Sequence, residues 1–188
     1  MGKFYEEISQ AHRDFIDKQK MFFVSTAPLN QDGHVNLSPK GLDCFRVFSA
    51  GRVGYMDLIS SGNETSAHIL ENGRITFMFC SFEGPPNILR LYGKGITVLR
   101  DSNEWEKYAA HFTIYPSTRQ LIIAEISKVQ TSCGFGVPLY KYRGEREIHF
   151  EWASKKGEKG LEDYVNEKNL QSMDGLPTLL GVAHQDGR

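Results

Sequence analysis

No apolar run in this chain approaches the roughly 20 residues that span a bilayer. Its first ten residues, MGKFYEEISQ, carry acidic side chains where a secretory leader needs an apolar stretch. Both absences predict a cytoplasmic protein with no membrane partner. Cysteine is scarce: Cys44, Cys80 and Cys133 are odd in number, widely spaced and form no CxxC pair, which argues against a disulfide framework and against a zinc site. Net charge is also missing. With Lys+Arg 22 against Asp+Glu 23 the formal charge is -1, so no global basic field draws the chain to nucleic acid or to anionic lipid. GxSxG, HExxH and the phosphate-binding P-loop are absent, and no catalytic residue is identified on that basis. The six histidines are too scattered to suggest a metal centre. What remains is a small-molecule or protein partner.

The 188 residues suffice for one well-packed domain with a modest extension. Phe4, Ile8, Ala11 and Phe15 recur at helical spacing and predict an N-terminal amphipathic helix. Met21–Ala27 and His34–Ser38 read as a hairpin that Pro39, Lys40 and Gly41 break. Asp43–Ser49 and Arg52–Asp57 form a second hairpin across Ala50 and Gly51. A helix over Gly62–Asn72 follows, then strands Arg74–Phe82 and Ile88–Leu99, where Gly93 and Gly95 would let a sheet bend. Ser102 to His111 reads as a helix and Leu121–Val129 as a strand. From residue 131 the text becomes rich in glycine and charge, with a helical LEDYVNEKNL, so residues 1–130 are expected to form the domain and 131–188 an extension that packs on it or on a partner subunit. The pattern is mainly β with interposed helices, and it favours a barrel over alternating βαβ units.

Ser60, Ser61, Gly62 and Asn63 sit where the Gly62–Asn72 helix begins, so free backbone N–H groups, hydroxyls and the positive helix end can converge on an anion. The alternative is that Ser61 or Asn63 caps the helix and Gly73 closes it. Lys40, flanked by Pro39 and Gly41, is either a turn lysine or a cation held where a barrel opens onto a ligand. Arg90 shares one side of its strand with Ile88 and Tyr92; it faces either a cleft, as a fixed cation, or water.

Taken together and in order, HVNLSPKG, YMDLISSGNETSAHILENGRITFMFCSF and ILRLYGKG resemble the pyridoxamine 5'-phosphate oxidase-like family of split β-barrels that bind flavin mononucleotide (FMN), over roughly residues 4 to 130. GNETSAH and SCGFGVPLY resemble a branch whose members are mostly of unassigned activity. The resemblance implies an α+β, mainly β, split barrel with FMN across a homodimer interface. It places the ring against Val35, Asn36, Leu37 and Ser38 with Tyr55 and Met56 beside it, Lys40 at the flavin-contacting lysine, and Asn63 and Thr65 at phosphate-binding positions, next to the Ser61 and Gly62 of the helix start.

Two departures from the family pattern stand out. The family's phosphate-binding Ser-Arg-Lys falls on Asn63, Glu64 and Thr65, so Glu64 would have to point away, and the countercharge falls to Lys40, Arg90 or the partner subunit. The C-terminal Arg-Leu-x-Pro block that holds the vitamin's phosphate has no counterpart in GVAHQDGR. An FMN-dependent oxidoreductase of unidentified substrate is therefore expected. A non-enzymatic flavin or pyridoxal-phosphate carrier, or a deazaflavin- or haem-using split barrel, is the alternative.

Overall fold

A computed structural model describes residues 2–187. Its elements run β1 (Lys3–Tyr5), α1 (Gln10–Ile16), β2 (Phe22–Thr26), β3 (Asn36–Lys40), β4 (Phe45–Ser49), β5 (Arg52–Leu58), α2 (Glu64–Asn72), β6 (Arg74–Cys80), β7 (Ile88–Val98), α3 (Trp105–Ala109), β8 (Thr118–Ser132), α4 (Ile148–Lys168) and α5 (Leu179–Gln185). The strands pair antiparallel in the order β3-β2-β6-β7-β8-β5-β4, with β1 added along β8.

Alternation of apolar residues curls this sheet around one core. Phe22 on β2 and Phe45 on β4 lie near opposite ends of the strand order, yet their ring centroids are 4.9 Å apart. Tyr55, Phe77, Leu89, Leu91, Leu121 and Val129 fill the interior, each fully buried. Among the described residues β3 and β4 do not pair with each other, so the barrel is split where the sheet ends meet. The expected bend lies at Gly93, where the β7–β8 register shifts. A Cβ there would stand 2.1 Å from the Glu125 carbonyl oxygen, so only glycine fits. At Gly95 the register is continuous.

Several boundaries differ from expectation. The N-terminal helix begins at Gln10, not near Phe4, because Lys3–Tyr5 pairs with Val129–Thr131 and leaves Phe4 exposed. Ser9 starts the helix: its hydroxyl accepts from the His12 amide, and the His12 ring accepts from the Ser9 amide. Pro39 and Lys40 do not break β3 but belong to it. The strand lies at the sheet edge, paired only with β2, where the missing proline N–H costs no ladder bond. Val35 falls just outside it. Helix α2 begins at Glu64, and neither Ser61 nor Asn63 caps it through a side chain, whereas Gly73, at φ 73°, closes it as expected. The helix expected over Ser102 to His111 is confined to Trp105–Ala109, and β8 starts three residues before Leu121.

After β8, residues 133–147 have no regular structure. Of LEDYVNEKNL, the first eight residues, Leu161 to Lys168, end α4, which is kinked at Gly157, and Asn169 caps it. Residues 169–178 then cross the start of α2 and lead into α5.

Candidate functional site

The pleat of β3 sorts its residues. Leu37 points outward and is 62% exposed, while Asn36, Ser38 and Lys40 turn the other way, toward α2 and β5. Asn36 Nδ2 donates to the hydroxyls of Thr26 and Thr65, both at 3.1 Å, and the Ser38 hydroxyl donates to Asn36 Oδ1 at 2.9 Å. Lys40 Nζ lies 2.8 Å from Asp57 Oδ1 and 5.4 Å from the centre of the Tyr55 ring. One polar seam thus runs along the split of the barrel.

Asp57 is the centre of that seam. Its side chain is buried near the end of β5, and β8 brings Arg119 and Gln120 beside it. Arg119 Nη2 donates to Asp57 Oδ2 at 2.6 Å and Gln120 Nε2 donates to the same oxygen at 2.9 Å. Gln120 Nε2 also donates to the Asn63 side chain, and Arg119 Nη1 donates to the Gly62 carbonyl oxygen at 2.9 Å. Burial alone would raise the Asp57 pKa, but the charges of Arg119 and Lys40 outweigh it and hold the carboxyl well below the usual range. Two cations against one carboxylate leave a net positive charge. Burial pushes the neighbouring Cys44 thiol up to about 12 and raises the Tyr55 phenol well above its usual value, so both stay protonated. Among the described residues Gln120 Oε1 is a buried polar atom without a partner.

Of the residues singled out in the sequence, the structure brings together Asn36, Ser38, Lys40, Gly62, Asn63 and Thr65. It does not bring Arg90 to them: Arg90 lies on β7 and donates to the Ser132 hydroxyl at 3.0 Å. The cation beside the start of α2 is instead Arg119. Val35 is exposed, Tyr55 and Met56 are core residues, and Ser61 is exposed. Asp57, Arg119 and Gln120 were not singled out. A carboxylate inside the apolar run YMDL and an Arg-Gln pair opening the run LIIAEI were the available signals, since charges that enter a strand's buried end need partners.

The start of α2 is closed by the chain's own C-terminal segment. Asn63 is 2% exposed and its Nδ2 donates to the Asn169 carbonyl oxygen; Asn169 Nδ2 donates to that of Ser60. The Glu64 carboxylate, which would have to point away from a phosphate, accepts from the Met173 amide at 3.0 Å. Ser66 accepts from the Leu179 amide, and Asp174 accepts from both the amide and the ring of His34. Phosphate does not fit there: Asn63 and Thr65 are already engaged and a carboxylate holds the entrance. Lys40, beside the net positive charge, lines a cleft of about 1610 Å³, whose volume and sign of charge are those a flavin ring and an anion would need.

A family model described as pyridoxamine 5'-phosphate oxidase matches residues 8–133. A protein of Aspergillus flavus, described as pyridoxamine 5'-phosphate oxidase family protein ustO, is 37% identical over all of this chain and 82% of its own length. Among solved structures, HupZ of Group A Streptococcus superposes with a TM-score of 0.51 at 20% identity, covering 65% of this chain and 91% of its own. A Clostridium acetobutylicum protein related to general stress protein 26, of the pyridoxinephosphate oxidase family, gives 0.50 at 12% identity, covering 65% and 86%. These likenesses bear out the split-barrel fold.

Proposed function

The chain belongs to the pyridoxamine 5'-phosphate oxidase family, and from that premise we propose that it is a cytoplasmic FMN-binding oxidoreductase that works as a homodimer on a small molecule. The observation that carries this reading is the seam itself, in which Lys40 and Arg119 share the buried Asp57 and leave one positive charge at the split of the barrel. Lys40 would face the electron-rich edge of the ring, Asn36 and Ser38 would orient it, and the core side chains behind them would keep water from it. Flavin, when bound, supplies the electron-transfer chemistry, and the protein supplies orientation and charge.

Supporting the dimer are large apolar side chains left in water: Leu37 and Val35 beside the split, and Phe135, Leu139 and Ile148 along the extension. A twofold partner would cover them and present each site twice. Three unpaired thiols suit a reducing compartment. No helix of the described residues is long and apolar enough to cross a membrane.

The purified protein is expected to be yellow, or to become so on addition of FMN, and its flavin to be reduced by NADPH or NADH and reoxidised by oxygen or a dye. A colourless protein that takes up no FMN ends this reading. A protein that holds FMN but exchanges no electrons with either nucleotide is a carrier.

A further inference from the structure

We propose that the cleft beside Lys40, between the barrel and residues 140–146, receives the anionic end of the bound ligand in place of the start of α2. This rests on the flavin reading above for the identity of the ligand but not for the existence of the site. At the start of α2 Asn63 is turned inward onto the Asn169 carbonyl, the Thr65 hydroxyl is engaged by Asn36, Ser61 is left exposed, and the Glu64 carboxylate would repel a phosphate.

The cleft has the opposite character. Lys18, Lys20, Lys40, Lys141, Arg143 and Arg146 line it, against three acids, Asp17, Glu83 and Glu145. Two of those acids are already used to fasten the segment that forms the outer wall. Glu83 accepts from the Tyr142 amide, and Glu145 accepts from the Tyr142 hydroxyl and the Leu42 amide. The side chains of Lys18, Lys141, Arg143 and Arg146 make no hydrogen bond or ion pair among the described residues. Unpaired guanidinium groups on a wall held by its own hydrogen bonds match a phosphate's oxygens in pairs.

Aromatic side chains stand between these cations. Tyr140 stacks on Phe82 with centroids 5.5 Å apart, Tyr142 lies 5.8 Å from Lys20 Nζ, and Trp152 of α4 lines the inner wall. A planar ring against Lys40 with a phosphate reaching toward Arg143 and Arg146 is the ligand class that this lining selects: a phosphorylated aromatic small molecule.

The test is calorimetric titration of the full-length protein, freed of any bound flavin, with FMN, riboflavin and inorganic pyrophosphate at fixed salt. The variant replaces three cleft cations, Lys141→Gln, Arg143→Gln and Arg146→Gln. A control variant of equal charge, Lys128→Gln, Lys155→Gln and Lys168→Gln, lies off the cleft. The wild-type protein should prefer FMN to riboflavin, and the cleft variant should lose roughly tenfold or more of FMN affinity with little change for riboflavin. Equal affinity for the two flavins in the wild type, a preference that survives in the cleft variant, or an equal loss in the control would overturn the proposal. If neither flavin binds but pyrophosphate does, and only the cleft variant loses it, the cleft stands and the flavin reading falls. Binding of none of the three sinks both.

Discussion

Around Asp57 two cations share one carboxylate out of water, whereas along residues 141–146 three cations stand in water with no carboxylate among the described residues bound to any of them. The two regions meet at Lys40, which belongs to both. In the first, desolvation makes each charge depend on its partners, so the cluster fixes the ends of β3, β5 and β8 against one another. In the second, charge costs the fold almost nothing and remains free for a ligand. A cation's usefulness for binding thus depends less on its presence than on whether the fold has already used it.

The strongest way to break this comparison is Asp57→Ala, which leaves Arg119 buried without its counter-ion and should cost about 3–5 kcal/mol. Urea denaturation measures it, and a loss below about 1 kcal/mol would mean that water already screens the cluster.

Acid provides a second lever. The folded-state pKa of Asp57 lies below its unfolded value, so its contribution is complete above roughly pH 4 and falls as pH drops through the range below, by at most about 1.4 kcal/mol per pH unit. Urea midpoints taken from pH 6 down to pH 2.5 should show this slope in the wild type and a shallower one in Asp57→Asn. Parallel slopes would assign the acid sensitivity to other carboxylates.

Asn169→Ala sharpens the comparison at the closed start of α2. It removes the amide that holds Ser60 and should cost about 1–3 kcal/mol. Hydrogen exchange should report faster amides over residues 169–179 and no change in β7. Uniform acceleration would show that the C-terminal segment unfolds only with the barrel.

The smallest effect is expected where charge is unpaired. Lys141→Gln, Arg143→Gln and Arg146→Gln should each shift stability by no more than about 0.5 kcal/mol. A larger loss, read by thermal melting, would mean that these side chains hold the 140–146 segment in place.

Much of the fold was legible because its cause is local. Alternation along Phe22–Thr26 and Arg74–Cys80, the turn at Ala50 and Gly51, and glycine at positions 73 and 93 each answer to a neighbour or to a backbone requirement. Phe4 misled because a helical period of four residues cannot reveal that β8 extends far enough to offer Lys3–Tyr5 a partner. Pro39 misled for a related reason: whether proline ends a strand depends on whether that strand lies at the sheet edge.

The site divides in the same way. The three sequence blocks and their order named Lys40, Asn36, Ser38, Asn63 and Thr65 as site residues, since strand alternation and helix starts are written in consecutive residues, and the structure gathers them along one seam. Which cation stands beside the start of α2 was not written there. Arg119 lies 62 residues beyond Asp57 and reaches it only because β5 and β8 pair, while Arg90, apt in sequence, is carried away by β7. The closure of α2 by Asn169 joins residues 106 apart. By itself the sequence determined the mainly β character and the family, because periodicity and motif act through near neighbours. Only the tertiary structure decided which charges are paired and which are free, because pairing depends on strands and segments brought together from distant parts of the chain.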